Sequence, residues 1–392
     1  MTTLDVRAPA ALSARVRVER AESRLRRFPK AINARVRHLA ARDPRLADLA
    51  VTFPALLAAL AAPRRGFDAE RTIARVLAGA SLALLADEAA VPLWTRALPP
   101  EAFEGPVPAL PAGPLFKRQI ANHLPSPKKA AAWVKDVAFV YRWADEGIAL
   151  WLARELTQPD LKKPKAPKRR YRPRRRPQLE TERRLLVLWA WHSQRPETFA
   201  HSLIETPWRP EIGLDNANNA ARVWSENVRL HLDLGDRVVD DEWFETAEIE
   251  GYTFAPLRTA AEVLQEARAM KNCLRTYGSS IAEGWSRVWS MRRDGERVAT
   301  IELNFSLGTT LITLAQVRVV EDKDAPADIL RIVQRWYLSQ PETVLTRKEP
   351  APFPFVPLDQ KTWTKLWMPY WREKRPAWLP FRASTQAYYA LT

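Results

Sequence analysis

The sequence predicts an α+β protein, in which a mainly α-helical N-terminal domain is followed by a basic linker and then by a mixed domain of helices packed on a small antiparallel sheet. Three observations carry this prediction. Residues 10–156 repeat Ala, Leu and Arg at three- and four-residue spacings with few strand signals. Residues 162–177, KKPKAPKRRYRPRRRP, hold ten Lys or Arg and four Pro. Residues 297–320 alternate Thr, Ile, Leu and Val on either side of a turn at Gly308. At 392 residues with 46% hydrophobic content, the chain is long enough for two or three buried cores.

The helical domain spans residues 1–160. Pro99, Pro100, Pro106, Pro108, Pro111 and Pro114 divide it into two helical groups near 96–115. The second group carries a buried stripe from Trp133 through Val137, Val140 and Trp143 to Ile148 and Trp151. Residues 161–178 form the linker, where like charges repel and prolines forbid a helix, so the chain is read as extended.

The α+β domain is placed at 179–345. A helix runs from Glu180 to Gln194 and ends before Pro196, and a second covers Asn216–Glu226. Leu232–Asp241 reads as a turn between short extended segments, and Gly251–Leu257 as a short strand. Thr259, with Glu262 three residues on, caps a helix over Ala260–Met270. Two antiparallel strands follow at 297–304 and 309–320, while the Trp/Ser/Arg segment before them carries no strand assignment. Pro326–Leu338 is an amphipathic helix, and residues 346–392, rich in Trp and Pro, form a tail packing on the core.

A formal charge of +16 and sixteen Trp favour an acidic polymer as partner, with the rings serving packing more than base stacking. The linker cations Lys162, Lys163, Lys165, Lys168, Arg169, Arg170, Arg172, Arg174, Arg175 and Arg176, with Tyr171 among them, suit phosphate contact with DNA or RNA. The blander alternative is a solubilising spacer. One cysteine excludes an intrachain disulfide, and five scattered histidines form no zinc motif, so no metal site is assigned. The apolar runs Val51–Pro63 and Val76–Ala86 are too short to cross a bilayer, and no secretory signal is visible. No membrane association and a cytoplasmic location follow. Walker A, GxGxxG, GxSxG and EF-hand patterns are absent, so no cofactor is named.

Within residues 252–320, Glu266, Met270, Cys273 and Tyr277 are followed by Ser290 with Arg292, Thr300 with Glu302, and Gln316 with Arg318. This ordered set resembles the PcfJ-like family associated with conjugative plasmids and other mobile elements. The resemblance implies a mobile-element context and no particular reaction. Ala267, Asn272 and Val319 depart from the Gly, His and Gly of the family pattern.

The same segment supplies the candidate catalytic residues Asn272, Cys273, Tyr277, Arg292, Glu302, Gln316 and Arg318. Cys273 is a nucleophile if Lys271, Arg275 or Arg292 stabilises its thiolate, but no His follows it to act as base. The alternative is a small buried helix residue packed on the hairpin, with Tyr277 sharing its face at i+4. Glu302, Gln316 and Arg318 fall on one hairpin face, which either binds a substrate or is a solvated face with cross-strand ion pairs. Glu321 with Lys323 has a superficial nuclease-like spacing, without the preceding Asp.

The leading expectation is a nucleic-acid-binding accessory protein of a mobile element. An enzyme with its site between the Cys273 helix and the hairpin is the alternative, and a protein-interaction scaffold with unassigned partners is the third reading.

Overall fold

The computed structural model describes residues 18–158, 176–305, 311–341 and 358–391. It is an α+β fold, 57% helical with a six-stranded antiparallel sheet. The chain divides into two units, one of Met1–Arg174 with Arg209–Leu214 and one of Arg175–Trp208 with Asp215–Thr392.

The first unit is helical: α1 (Lys30–Ala40), α2 (Pro44–Thr52), α3 (Pro54–Ala61), α4 (Ala69–Leu77), α5 (Leu82–Glu88), α6 (Pro114–Gln119), α7 (Ala130–Trp143) and α8 (Glu146–Glu155). Asp43, Asp68, Ser81 and Asp145 start α2, α4, α5 and α8 by accepting from backbone N–H groups that a helix leaves unpaired. Helix α3, PALLAALA, has no polar face and is buried from Pro54 to Leu60, which makes it the centre of this unit. Trp133 Nε1 on α7 donates to the Ala153 carbonyl on α8 at 3.1 Å. Between Phe103 and Gly113 the prolines keep the chain out of regular secondary structure.

Residues 209–214, which the sequence placed with the α+β domain, belong to this unit. Trp151 Nε1 donates to the Ile212 carbonyl at 2.7 Å, and the Leu214 N–H reaches Glu155 at 3.0 Å.

The second unit contains α9 (Arg176–Ser193), α10 (Phe199–Ser202), α11 (Leu214–Leu234), α12 (Ala260–Met270), α13 (Gly278–Ala282), α14 (Ala327–Leu338), α15 (Gln360–Lys374) and α16 (Thr385–Leu391). Helix α9 begins inside the stretch assigned to the linker, because Pro177 falls in its first turn, where a missing N–H costs no hydrogen bond. The remaining linker residues, Lys162–Arg175, lie outside the described residues. Helix α11 runs eight residues past the expected end, through His231, Leu232 and Leu234, because its buried face continues there.

The sheet strands lie in chain order: β1 (Ala247–Ile249), β2 (Tyr252–Pro256), β3 (Ser286–Arg293), β4 (Glu296–Phe305), β5 (Ile312–Val319) and β6 (Lys323–Asp324), each antiparallel to the next. The expected two-stranded hairpin is therefore the β4–β5 part of a larger sheet. On one face, α14 lays Ile329, Ile332, Val333 and Trp336 against Trp289, Ile301 and Leu303. Trp336 stacks on Phe254 with ring centroids 4.6 Å apart.

Within the tail, α15 and α16 are helical. Trp363, Leu366, Trp367 and Tyr370 of α15 are buried, with Trp191 and Tyr370 ring centroids 5.0 Å apart and Trp224 and Trp367 at 6.0 Å. Trp189, Trp191, Trp224, Trp289, Trp336 and Trp363 are all fully buried, so these rings serve packing.

Candidate active site: a polar cluster over the sheet

The second face of the sheet is polar, and its register explains why. Ser290 pairs with Thr300 and Ser286 with Asn304 across β3–β4, while Thr300 pairs with Arg318 and Glu302 with Gln316 across β4–β5. Side chains two apart on a strand share a face, so these polar groups line up together. Leu314 and Gln316 would also share a face in a regular strand. The register shift after Glu302 pairs Leu303 with Leu314 and leaves Ala315 unpaired. This bulge sends Leu314 to the apolar core and Gln316 to the polar side.

Helix α12 supplies the second wall. Thr259 and Glu262 close a capping box at its start. At its end, Lys271 takes the left-handed conformation at φ 51° and the Asn272 N–H reaches back to the Ala267 carbonyl at 3.3 Å. The helix therefore stops before Cys273, which opens a 3-10 turn over Leu274–Thr276. Two readings are corrected here. Cys273 is neither on the helix nor buried but exposed, and it does not share a helix face with Tyr277.

Two hydrogen-bonded chains fill the space between α12 and the sheet. In the first, Asn272 Oδ1 accepts from the Leu274 N–H at 3.2 Å and its Nδ2 donates to Thr300 Oγ1 at 3.1 Å. Thr300 in turn donates to Glu266 at 3.0 Å, and Arg297 pairs with the other oxygen of this fully buried carboxylate at 2.7 Å. In the second, Gln316 Nε2 lies 2.6 Å from the Tyr277 hydroxyl and 2.5 Å from Glu302 Oε2. Arg318 Nε donates to Gln316 Oε1 at 3.1 Å, and Ser286 bridges Glu302 and Asn304. Glu302, only 7% exposed, has no cation within ion-pair distance among the described residues.

Six of the seven candidate residues, Asn272, Cys273, Tyr277, Glu302, Gln316 and Arg318, line one cleft together with Leu274, Thr300 and Asp322. Arg292 does not reach it. Its Nε donates to Ser290 Oγ at 3.1 Å, beyond a register shift between Met291 and Arg292. Asp322, Ser286 and Glu266 complete the cluster without having been singled out as site residues. Glu266 and Thr300 were visible in the motif, whereas Asp322 is brought in by positive-φ turn residues, Glu321 and Asp322, that no local pattern marks.

The cleft encloses about 20 Å³, room for roughly one water. Burial, followed by the Asp322 carboxylate, pushes the Cys273 thiol up, and Glu302 adds to this. Burial and the Glu302 charge push the Tyr277 phenol up to about 12. The cations named as possible thiolate partners are engaged elsewhere: Lys271 lies 3.9 Å from Glu321, Arg275 is 3.6 Å from Glu205, and Arg292 bonds Ser290. The cleft thus brings the Cys273 thiol and the Tyr277 phenol beside Glu302, in surroundings that disfavour the thiolate.

Glu321 bonds Lys323 at 2.8 Å on the surface, and Glu242 and Asp241 pair with Arg258 and Arg287. Among the described residues, no group of three or more His, Cys, Asp or Glu is arranged to hold a metal ion, and no helix is long and apolar enough to cross a membrane.

Comparison of the chain with protein-family profiles, characterised proteins and solved structures finds no match.

Proposed function

We propose that this protein is a cytoplasmic nucleic-acid-binding accessory protein of a mobile element, PcfJ-like in its 252–320 segment, that grips phosphates through residues 162–176. The observation that carries the reading is where the charge lies. Residues 162–177 hold ten cations and no acid, whereas residues 178–392 hold 27 Lys or Arg against 29 Asp or Glu. The sheet-bearing region is therefore close to neutral. Sequence-independent phosphate affinity belongs to the basic run, with support from residues 1–161, where 24 cations meet 16 acids.

The test is fluorescence anisotropy of labelled single-stranded DNA and RNA with the intact protein and with a variant in which residues 162–176 are replaced by a Gly/Ser segment of equal length. Binding by the intact protein and loss of most affinity in the variant support the reading. Unchanged affinity in the variant rejects it.

A second reading is favoured by the convergence of residues from β4, β5 and two turns on one cleft. In it the cluster is catalytic, with Glu302 as proton acceptor toward a water in the cleft and Tyr277, Gln316 and Arg318 orienting the reacting group. Glu302→Gln keeps the shape and removes the charge. Loss of a cellular phenotype at unchanged melting temperature supports this second role, and a parallel fall in both assigns Glu302 to structure.

A further inference from the structure

We infer that the N-terminal helical unit carries a binding site for a flat aromatic anion, in the cavity between α7 and the proline-rich segment 102–109. The cavity measures about 760 Å³, within the range of small-molecule sites and far larger than the polar cleft of the second unit. All of its lining residues belong to the first unit.

Its walls combine aromatic rings with prolines. Phe103 and Val107 are buried in the segment on one side, and Phe139 and Trp143 stand two-thirds of the way along α7 and at its end. Pro106 and Pro108 fix the backbone opposite them and remove two N–H donors from that wall. Aromatic rings and prolines present flat faces, which complement a planar ring system better than a flexible chain.

The charge at the cavity selects the ligand further. Three cations line it, Arg64, Lys135 and Arg142, against one acid, Glu104. Lys135 and Glu104 pair with each other, which leaves both arginines without an acidic partner among the described residues. Arg64 is held in place: its Nη2 donates to the carbonyls of Ala89 at 2.9 Å and Ala90 at 3.0 Å. Arg142 lies with its guanidinium carbon 4.6 Å from the centroid of the Trp143 ring. The Arg142 guanidinium beside aromatic walls, with the remaining N–H groups of Arg64 also lining the cavity, suits a ring bearing a carboxylate, phosphate or sulfonate, because a guanidinium donates charge-assisted hydrogen bonds to such oxyanions.

The probes that test this are a matched pair, 1-anilinonaphthalene-8-sulfonate and the uncharged N-phenyl-1-naphthylamine, titrated into the full chain while probe and tryptophan fluorescence are followed. The anion is expected to bind at least tenfold more tightly than the neutral analogue. Arg142→Ala, at an exposed position, should erase most of that difference and leave the neutral probe's affinity unchanged. Ala109→Trp, which fills the cavity from its exposed rim, should weaken both probes at unchanged melting temperature. A variant lacking residues 162–176 should bind the anion as the intact chain does, which separates this site from the basic run. Equal affinities for the two probes, no binding of either, or anion binding insensitive to both Arg142→Ala and Ala109→Trp would overturn the inference.

Discussion

At the scale of single residues, Cys273 shows how exposure and reactivity separate. Its thiol is accessible, yet burial of part of its surroundings and the Asp322 and Glu302 carboxylates disfavour the thiolate. Alkylation by iodoacetamide at pH 7 is therefore expected to be slower than for a free cysteine, with a rate still climbing above pH 9. A plateau near neutral pH would contradict the electrostatics described here. His192 makes the complementary case. It is fully buried among Trp191, Trp224 and Tyr370, and burial, aided by Arg195 and His201, lowers its pKa to about 3. The unfolded chain binds this proton below about pH 6.5 and the folded chain does not, so stability is complete above 6.5 and falls as the pH drops toward 3. At 1.36 kcal/mol per pKa unit the loss is on the order of 5 kcal/mol. His192→Phe, which keeps the ring, should flatten that part of the acid limb in urea unfolding, and an unchanged slope would reject the assignment. The polar types at the site were legible from the hairpin period, which put Glu302, Gln316 and Arg318 together. The exposure of Cys273 was not, because it follows from Lys271 adopting a left-handed conformation that glycine or asparagine usually marks.

Among the elements, the capping box made α12 readable to the residue, since Thr259 and Glu262 satisfy each other's backbone N–H groups. Thr259→Ala should cost about 1 kcal/mol in chemical denaturation. No loss of stability would place the start of the helix elsewhere. Strand β3 was unreadable for a different reason. Residues 286–291 are buried on both faces, one set under α14 and the polar set, Ser286 and Ser290, under the α12 side, so no polar and apolar alternation marks the strand. Helix α15 was hidden by Pro369 in its interior, which normally ends a helix. Here Trp363, Leu366, Trp367 and Tyr370 bury one face around it, and tertiary packing outweighs the lost backbone bond. Ala315 is a third instance, since a bulge leaves no mark in composition yet decides which face Gln316 takes.

Across the whole molecule, charge and architecture divide the labour. The α+β class was legible because periodicity switches along the chain. The aromatic content, which pointed to packing more than to base stacking, serves packing at the six fully buried tryptophans. The cationic run and the near-neutral region that holds the polar cleft are separate stretches of the sequence, so the proposed phosphate binding and the proposed chemistry at Glu302 can be tested separately. The measurement that tests the central claim most directly is the salt dependence of nucleic-acid binding by the intact chain between 50 and 300 mM, on the scale of the counterion release expected of a polybasic segment. If most of the ten cations of residues 162–177 meet phosphates, log K should fall with log salt with a slope of about −5 or steeper, at roughly 0.9 per phosphate on B-DNA and 0.7 on single strands. A slope near zero, or no binding at the lowest salt, would contradict the account.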